Sequence, residues 1–185
     1  MSPPRAVLIG GGARSGKSTL ALQLALAVPG RRAFLATATA SDGEMSDRIA
    51  RHQLERGDLF ETIEEPLAVP SVVAHHPADV LVVDCLTLWL SNLLMADRSD
   101  EAIEAEVDAL VAALDARPRA LTALVTNEVG LGIVPMSALA RRFRDLTGRA
   151  HQRLAGRAEE VYLGAMGLML RLKPGPVEAL PRIAR

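Results

Sequence analysis

Residues 11–18 read Gly-Gly-Ala-Arg-Ser-Gly-Lys-Ser, between an apolar run over 6–10 and an apolar helical pattern over 16–28. The stretch fits G-x-x-x-x-G-K-[ST], a phosphate-binding loop. Its glycines let the backbone curl so that several N–H groups point at one phosphate. The helix that follows adds its positive end. Lys17 reaches the terminal phosphates, and the Ser18 hydroxyl is a ligand for Mg²⁺. The bland alternative is a glycine-rich strand-to-helix turn. With glycine near ~7% of residues, a chance match in one chain this long is on the order of one per cent or less.

Such a loop needs a strand before it and a helix after it, and the rest of the chain repeats that alternation. Residues 32–38 (RAFLATA) read as a second strand. Ser41 and Glu44 have the S-x-x-E spacing of a capping box, which starts a helix running to Arg56 and stopping at Gly57. LFETIEEP is a short strand closed by Pro66, and 66–76 is a short helix or a loop. DVLVVDC (79–85) is a continuous apolar run, the pattern of a central parallel strand. Residues 101–116 and 136–158 carry helical periodicity, 121–128 is a buried strand that ends polar, and 161–173 reads as two strands around Gly167. The expectation is an α/β fold in three layers, a mainly parallel sheet flanked by helices. Residues 1–173 form a single domain, and the proline-rich stretch 174–185 is a loosely attached extension.

Composition excludes several classes. The chain has 185 residues and a net charge of −1, with 49% hydrophobic and 3% aromatic residues. Neither a strongly basic face nor a base-stacking platform for nucleic acid is indicated. Cys85 is the one cysteine, so no intrachain disulfide can form, and a reducing cytoplasm is the expected setting. The start MSPPRAVLIGGG lacks the apolar core and cleavage site of a signal peptide. The longest apolar run, LTLWLSNLLMA, contains Ser91 and Asn92 and is too short to span a membrane.

Four groups besides the loop carry chemistry. Asp84 ends the run VLVV, where a carboxylate reaches the ligand-binding rim of a parallel sheet. Beside the loop it would hold Mg²⁺, or it would cap the next helix. His52 shares a helical face with Met45 and Ile49, as a partly buried histidine, a general base, a ligand or a nucleophile. Arg48 and Arg56 flank it and could hold phosphates. Asn127-Glu128-Val129-Gly130 reaches the same rim after a buried strand, and GLGIVP after it suits a shaped loop. Arg141, Arg142, Arg144 and Asp145 form a charged cluster, a solvated face or a phosphate contact. His75, His76 and His151 show no zinc-ligand spacing. On the loop and Asp84 alone, a small-molecule kinase and a non-catalytic nucleotide-binding regulator both fit.

Taken in order, GGARSGKS, ATAxxxDGEMxxRIxxH, TIEEP, VDCLTLWLSNLL, TNEVGLGIVP and RRFRDLTGRAHQRLA resemble one family, across about residues 6–173. It is the bifunctional adenosylcobinamide kinase/adenosylcobinamide-phosphate guanylyltransferase family of cobalamin biosynthesis. The resemblance implies a RecA-like P-loop fold and a homo-oligomer, typically a trimer. It implies phosphorylation of the aminopropanol hydroxyl of adenosylcobinamide by ATP or GTP. GMP then passes from GTP to that phosphate through a covalent histidine intermediate, giving adenosylcobinamide-GDP and pyrophosphate. The histidine of RIxxH is His52. Family nucleotide contacts map onto Gly11, Gly12, Ala13, Arg14, Ser15, Gly16, Lys17 and Ser18, onto Ala36, Thr37 and Ala38, onto Gln53, Leu54, Glu55 and Arg56, and onto Glu64 and Asp84. Glu64 or Glu65 would orient an imidazole N–H or contact the nucleotide. Two positions depart from the pattern. Phe60 stands where many relatives carry tryptophan, and His151 where asparagine is usual. The motifs assign no proton acceptor for the kinase step.

Overall fold

The computed structural model describes residues 6–38, 59–116 and 121–179. In chain order these form β1 (Ala6–Gly11), α1 (Lys17–Leu26), β2 (Arg32–Ala36), β3 (Glu61–Glu64), α2 (Val69–His75), β4 (Val80–Asp84), α3 (Leu86–Met95), α4 (Asp100–Asp115), β5 (Leu121–Val125), α5 (Ala138–Arg157), β6 (Glu160–Ala165), β7 (Leu168–Lys173) and β8 (Glu178–Ala179). The capping box at Ser41 and Glu44, with the helix it is expected to start, lies outside the described residues, as do His52 and Gln53–Arg56.

The strands form one sheet in the order β3-β2-β4-β5-β1-β6-β7-β8. The neighbours from β3 to β6 pair parallel, and β7 and β8 add antiparallel at one edge. The central strands are buried on both faces, which is why they read as unbroken apolar runs rather than alternating ones. Alternate side chains go to opposite cores. Ala6, Leu8, Leu81, Val83 and Leu124 pack with Trp89, Leu93, Leu110 and Leu154 of α3, α4 and α5. Val7, Ile9, Val80, Val82 and Ala123 pack with Leu20, Ala21 and Ala25 of α1 and with Phe60. Helices therefore cover both faces, and the three layers are those of a RecA-like P-loop fold.

Three elements differ from the sequence expectation. LTLWLSNLLMA reads in sequence only as an apolar run, yet residues 86–95 form α3. Leu86, Trp89, Leu90, Leu93 and Leu94 form its buried face, but Leu88 and the exposed Met95 make the opposite face apolar in part, which hides the stripe. The Trp89 indole N–H donates to Leu67 O at 2.9 Å, so the one tryptophan is satisfied in the core. The tail beyond residue 173 is more than an extension, since Glu178 and Ala179 pair with Arg171 and Leu170. Strand β5 stops at Val125, and Thr126–Glu128 continue as loop.

Of the charged cluster on α5, Arg142 joins a helix–helix clamp with arginines further along the helix. Arg142 binds Asp100, Arg149 reaches Asp100 and Glu104, and Arg153 reaches Glu104 and Asp108. Arg157 bridges Asp115 and Glu159. Arg141 donates to Pro135 O and Met136 O, and Arg144 sits beside its neighbour Asp145. These arginines hold α5 against α4 and its own preceding loop.

Candidate active site

The C-terminal ends of the parallel strands meet along one rim, where ligands bind in folds of this kind. Register places Ala36 beside Glu64 and Asp84, Asp84 beside Val125, and Gly11 beside Gly164.

The phosphate loop turns from β1 into α1. Ser15 N–H donates to Gly12 O at 3.3 Å, closing a tight turn. Gly16 precedes the helix at φ 89°, a left-handed conformation that glycine adopts without steric cost. No side chain caps α1, and its first turn has no acidic residue. The N–H groups and dipole of such a helix start favour an anion there. Lys17 is buried and donates to Gly12 O at 2.9 Å, folded along the loop it serves. Ala13 and Arg14 are exposed at its crest.

Gly164 is a site-forming residue that sequence reading missed. A Cβ there would lie 2.8 Å from Ser15 Oγ, and one on Gly11 would lie 2.6 Å from the same oxygen and 2.7 Å from Gly164 O. The Ser15 hydroxyl is buried between these two glycines without a hydrogen-bond partner among the described residues. The available signal was a glycine inside a strand, which marks close backbone approach.

Ser18 Oγ donates to Asp84 Oδ2 at 3.1 Å, bringing together the two groups expected to hold a metal. Both are hard oxygen donors, as Mg²⁺ requires, and Mg²⁺ is usually completed by water and substrate phosphates rather than by a protein cage. Among the described residues no three His, Cys, Asp or Glu side chains cluster as a metal site. Asp84 is joined to Cys85 by a cis peptide.

Thr37 fixes this end of β4. Its Oγ1 donates to Cys85 O at 2.8 Å and accepts from Cys85 N–H at 2.9 Å, and its own N–H donates to Asp84 O at 3.2 Å. Asn92 of α3 donates to Thr37 O at 2.8 Å and to Pro66 O at 3.1 Å. Ala36 and Thr37 are buried, so Ala38 is the outermost of the three expected nucleotide contacts. Cys85 is buried, and burial pushes its thiol pKa up, with the Asp84 charge adding to the shift. Glu64 ends exposed β3 on the rim. Glu65, the alternative acid, accepts from Leu67 and Ala68 N–H at 2.9 Å each and shapes the turn into α2.

On the other side of the loop lies the TNE segment. Thr126 N–H donates to Ile9 O at 3.0 Å and Glu128 N–H to Gly11 O at 3.1 Å. Asn127 donates to Thr87 Oγ1 at 3.0 Å. His151 Nε2 lies 2.7 Å from Thr126 Oγ1, and Nδ1 lies 3.7 Å from Glu128 Oε2. Burial lowers the His151 pKa, partly offset by the Glu128 carboxylate. His75 and His76 are elsewhere: Nδ1 of His75 pairs with Ser71 O, and His76 accepts from Ala78 N–H.

The geometry joins a phosphate loop, a hydroxyl–carboxylate pair and a second acid on one rim. In solved structures, the RadB recombinase superposes over 99% of this chain and 89% of its own, with TM-score 0.56 and 16% identity. The flagellar accessory protein FlaH from Methanocaldococcus jannaschii covers 97% of this chain and 77% of its own, with TM-score 0.52 and 16% identity. These show the fold. In sequence, the chain is 44% identical over 172 residues to a protein of Pseudomonas aeruginosa named bifunctional adenosylcobalamin biosynthesis protein CobP, covering 92% of this chain and 98% of that one. It is 38% identical over 181 residues to the Escherichia coli protein named bifunctional adenosylcobalamin biosynthesis protein CobU, covering 90% and 99%. Residues 7–172 match the family described as cobinamide kinase / cobinamide phosphate guanyltransferase, and the chain belongs to that family of transferases.

Proposed function

We propose that this protein phosphorylates the aminopropanol hydroxyl of adenosylcobinamide with ATP or GTP, then transfers GMP from GTP to the new phosphate through a GMP–His52 intermediate. The observation that carries this reading is the Ser18–Asp84 pair at the uncapped start of α1, in a chain that also has the RIxxH motif. Nucleotide contacts are assigned to Gly11–Ser18, Ala36–Ala38, Gln53–Arg56, Glu64 and Asp84.

In the kinase step the loop amides and Lys17 bind the β- and γ-phosphates and offset the charge that develops there. In the guanylyl step the neutral His52 imidazole attacks the α-phosphorus and pyrophosphate leaves. Its charge falls on Lys17 and the loop N–H groups. The phosphate of adenosylcobinamide phosphate then attacks the same phosphorus and frees the histidine, splitting one difficult transfer into two. Ser18 and Asp84 would hold a Mg²⁺ that withdraws charge from the phosphate oxygens.

A homo-oligomer belongs to the same reading. It is supported by Leu131, Ile133, Val134 and Met136, all exposed on the loop after Glu128, an apolar stretch that suits burial in a larger assembly. No helix among the described residues is long and apolar enough to cross a membrane, and a cytoplasmic, single-domain enzyme is proposed.

Two labels test the function. With γ-labelled ATP and adenosylcobinamide, the label should appear on the corrinoid. With α-labelled GTP added next, that label should join it. If the α-label never reaches the product while the γ-label does, the protein is a simple kinase. If neither does, the reading is wrong.

A further inference from the structure

Glu128 is held by three contacts, one of them to the phosphate loop. Its N–H donates to Gly11 O at 3.1 Å. Its Oε1 accepts from Gly130 N–H at 2.6 Å, which folds the side chain back over the following turn. Its Oε2 faces His151 Nδ1 at 3.7 Å, an electrostatic contact longer than a hydrogen bond. His151 is itself pinned, since Nε2 lies 2.7 Å from Thr126 Oγ1, and Thr126 is bonded through its N–H to Ile9 O. The tautomer with its proton on Nδ1 accepts the Thr126 hydroxyl at Nε2 and turns an N–H toward the carboxylate. Burial disfavours the imidazolium, so His151 orients Glu128 more than it neutralises it. The Glu128 side chain stays 28% exposed, so a substrate can reach it.

The neighbouring acids have other partners. Asp84 accepts from Ser18, and Glu65 from Leu67 and Ala68. Glu128 is the acid whose backbone is bonded to the first residue of the phosphate loop.

We propose that Glu128 is the general base of the phosphorylation step and that His151 is its positioning residue. This rests on the kinase half of the function proposed above. A Glu128 carboxylate oxygen takes the proton of the acceptor hydroxyl. The hydroxyl oxygen forms a bond to the γ-phosphorus. The bond from that phosphorus to the β–γ bridging oxygen breaks, and the nucleoside diphosphate leaves with the electron pair. The proton on Glu128 then passes to water. The guanylyl step needs no such base, because a phosphate monoester has a second pKa of ≈ 6 and is largely dianionic at neutral pH. The two half-reactions should therefore separate at Glu128.

The test assays the full chain in both half-reactions, with adenosylcobinamide plus ATP and with adenosylcobinamide phosphate plus GTP. Glu128→Gln keeps an oxygen for Gly130 N–H but removes the base. It should lower kcat for phosphorylation by about 10²–10⁴-fold, the usual contribution of a positioned base, while guanylyl transfer stays close to wild type. Glu128→Asp should recover part of the phosphorylation rate. His151→Ala should lower kcat for phosphorylation with KM for ATP unchanged, and His151→Asn should restore part of it. Equal losses in both half-reactions, no loss in either, or equal phosphorylation rates for the Asp and Gln variants would each overturn the proposal. Wild-type protein that guanylylates but does not phosphorylate overturns the kinase reading and this proposal with it. Wild type that does both, with Glu128→Gln equally active, overturns this proposal alone.

Discussion

The Ser18 hydroxyl and the Asp84 carboxylate, 66 residues apart in sequence, meet at 3.1 Å across the first turn of α1. Strand β4 brings Asp84 to the rim, and the phosphate loop brings Ser18 to it. Asp84→Asn keeps the shape and removes the charge. Groups that merely orient a metal ligand are worth ~10–100-fold in metal affinity, so loss of the carboxylate itself should cost at least that much for Mg²⁺. Titrating Mg²⁺ against both half-reactions checks this, and unchanged Mg²⁺ dependence would remove Asp84 from the metal site.

Thr37 carries a structural load that its place in the ATA motif does not reveal. Thr37→Val removes the acceptor of a buried Cys85 N–H, a loss of about 1–3 kcal/mol. It also frees the end of β4 next to Asp84. Chemical denaturation should show the lower stability, together with a weaker nucleotide complex. A variant as stable as wild type would mean that the Thr37–Cys85 bonds are dispensable.

Glycines in the phosphate loop are not equivalent. A Cβ on Gly11 meets backbone at Gly164, whereas one on Gly12 has nothing within 4 Å. Gly11→Ala should destabilise the protein by ~1–3 kcal/mol, the usual cost of overpacking, and Gly12→Ala should unfold near wild type. Thermal unfolding of the two variants side by side distinguishes them, and equal melting temperatures would contradict the packing described.

His151 should make stability depend on pH. Its pKa is lowered in the folded protein from an ordinary 6.5, mainly by burial. Below pH 6.5 the unfolded chain takes up a proton that the folded chain resists. The contribution is therefore fully present above that pH and is lost as pH falls from there through the lower folded pKa. His151→Asn should flatten the fall in melting temperature on the acid side. Parallel curves for the two proteins would show that His151 does not titrate differently on folding.

Much of this architecture is legible in the sequence because its signals are local. The unbroken apolar runs of β1, β4 and β5 and the periodicity of α4 and α5 mark their elements within a few residues. The loop glycines and Asp84 mark the groups that the proposed function assigns to phosphate and metal. What was not legible depends on contacts distant in sequence. Residues 86–95 carry apolar Leu88 and Met95 off the buried face of α3, which blurs the helical stripe in sequence. Gly164 matters only through Ser15, and the Arg-rich face of α5 is open to a phosphate reading until the acids of α4 are set opposite it. In sequence His151 is only a departure from a family pattern. Its connection to Thr126 and Glu128 required the fold.

Passage of GMP through His52 is tested by mass spectrometry of the intact protein after incubation with GTP and Mg²⁺, followed by peptide mapping. One GMP adduct, labile to acid and stable to base, is expected on His52 and should be missing from His52→Ala. A wild-type enzyme that completes guanylyl transfer without the adduct, or a His52→Ala protein that carries it equally well, would rule out the His52 intermediate.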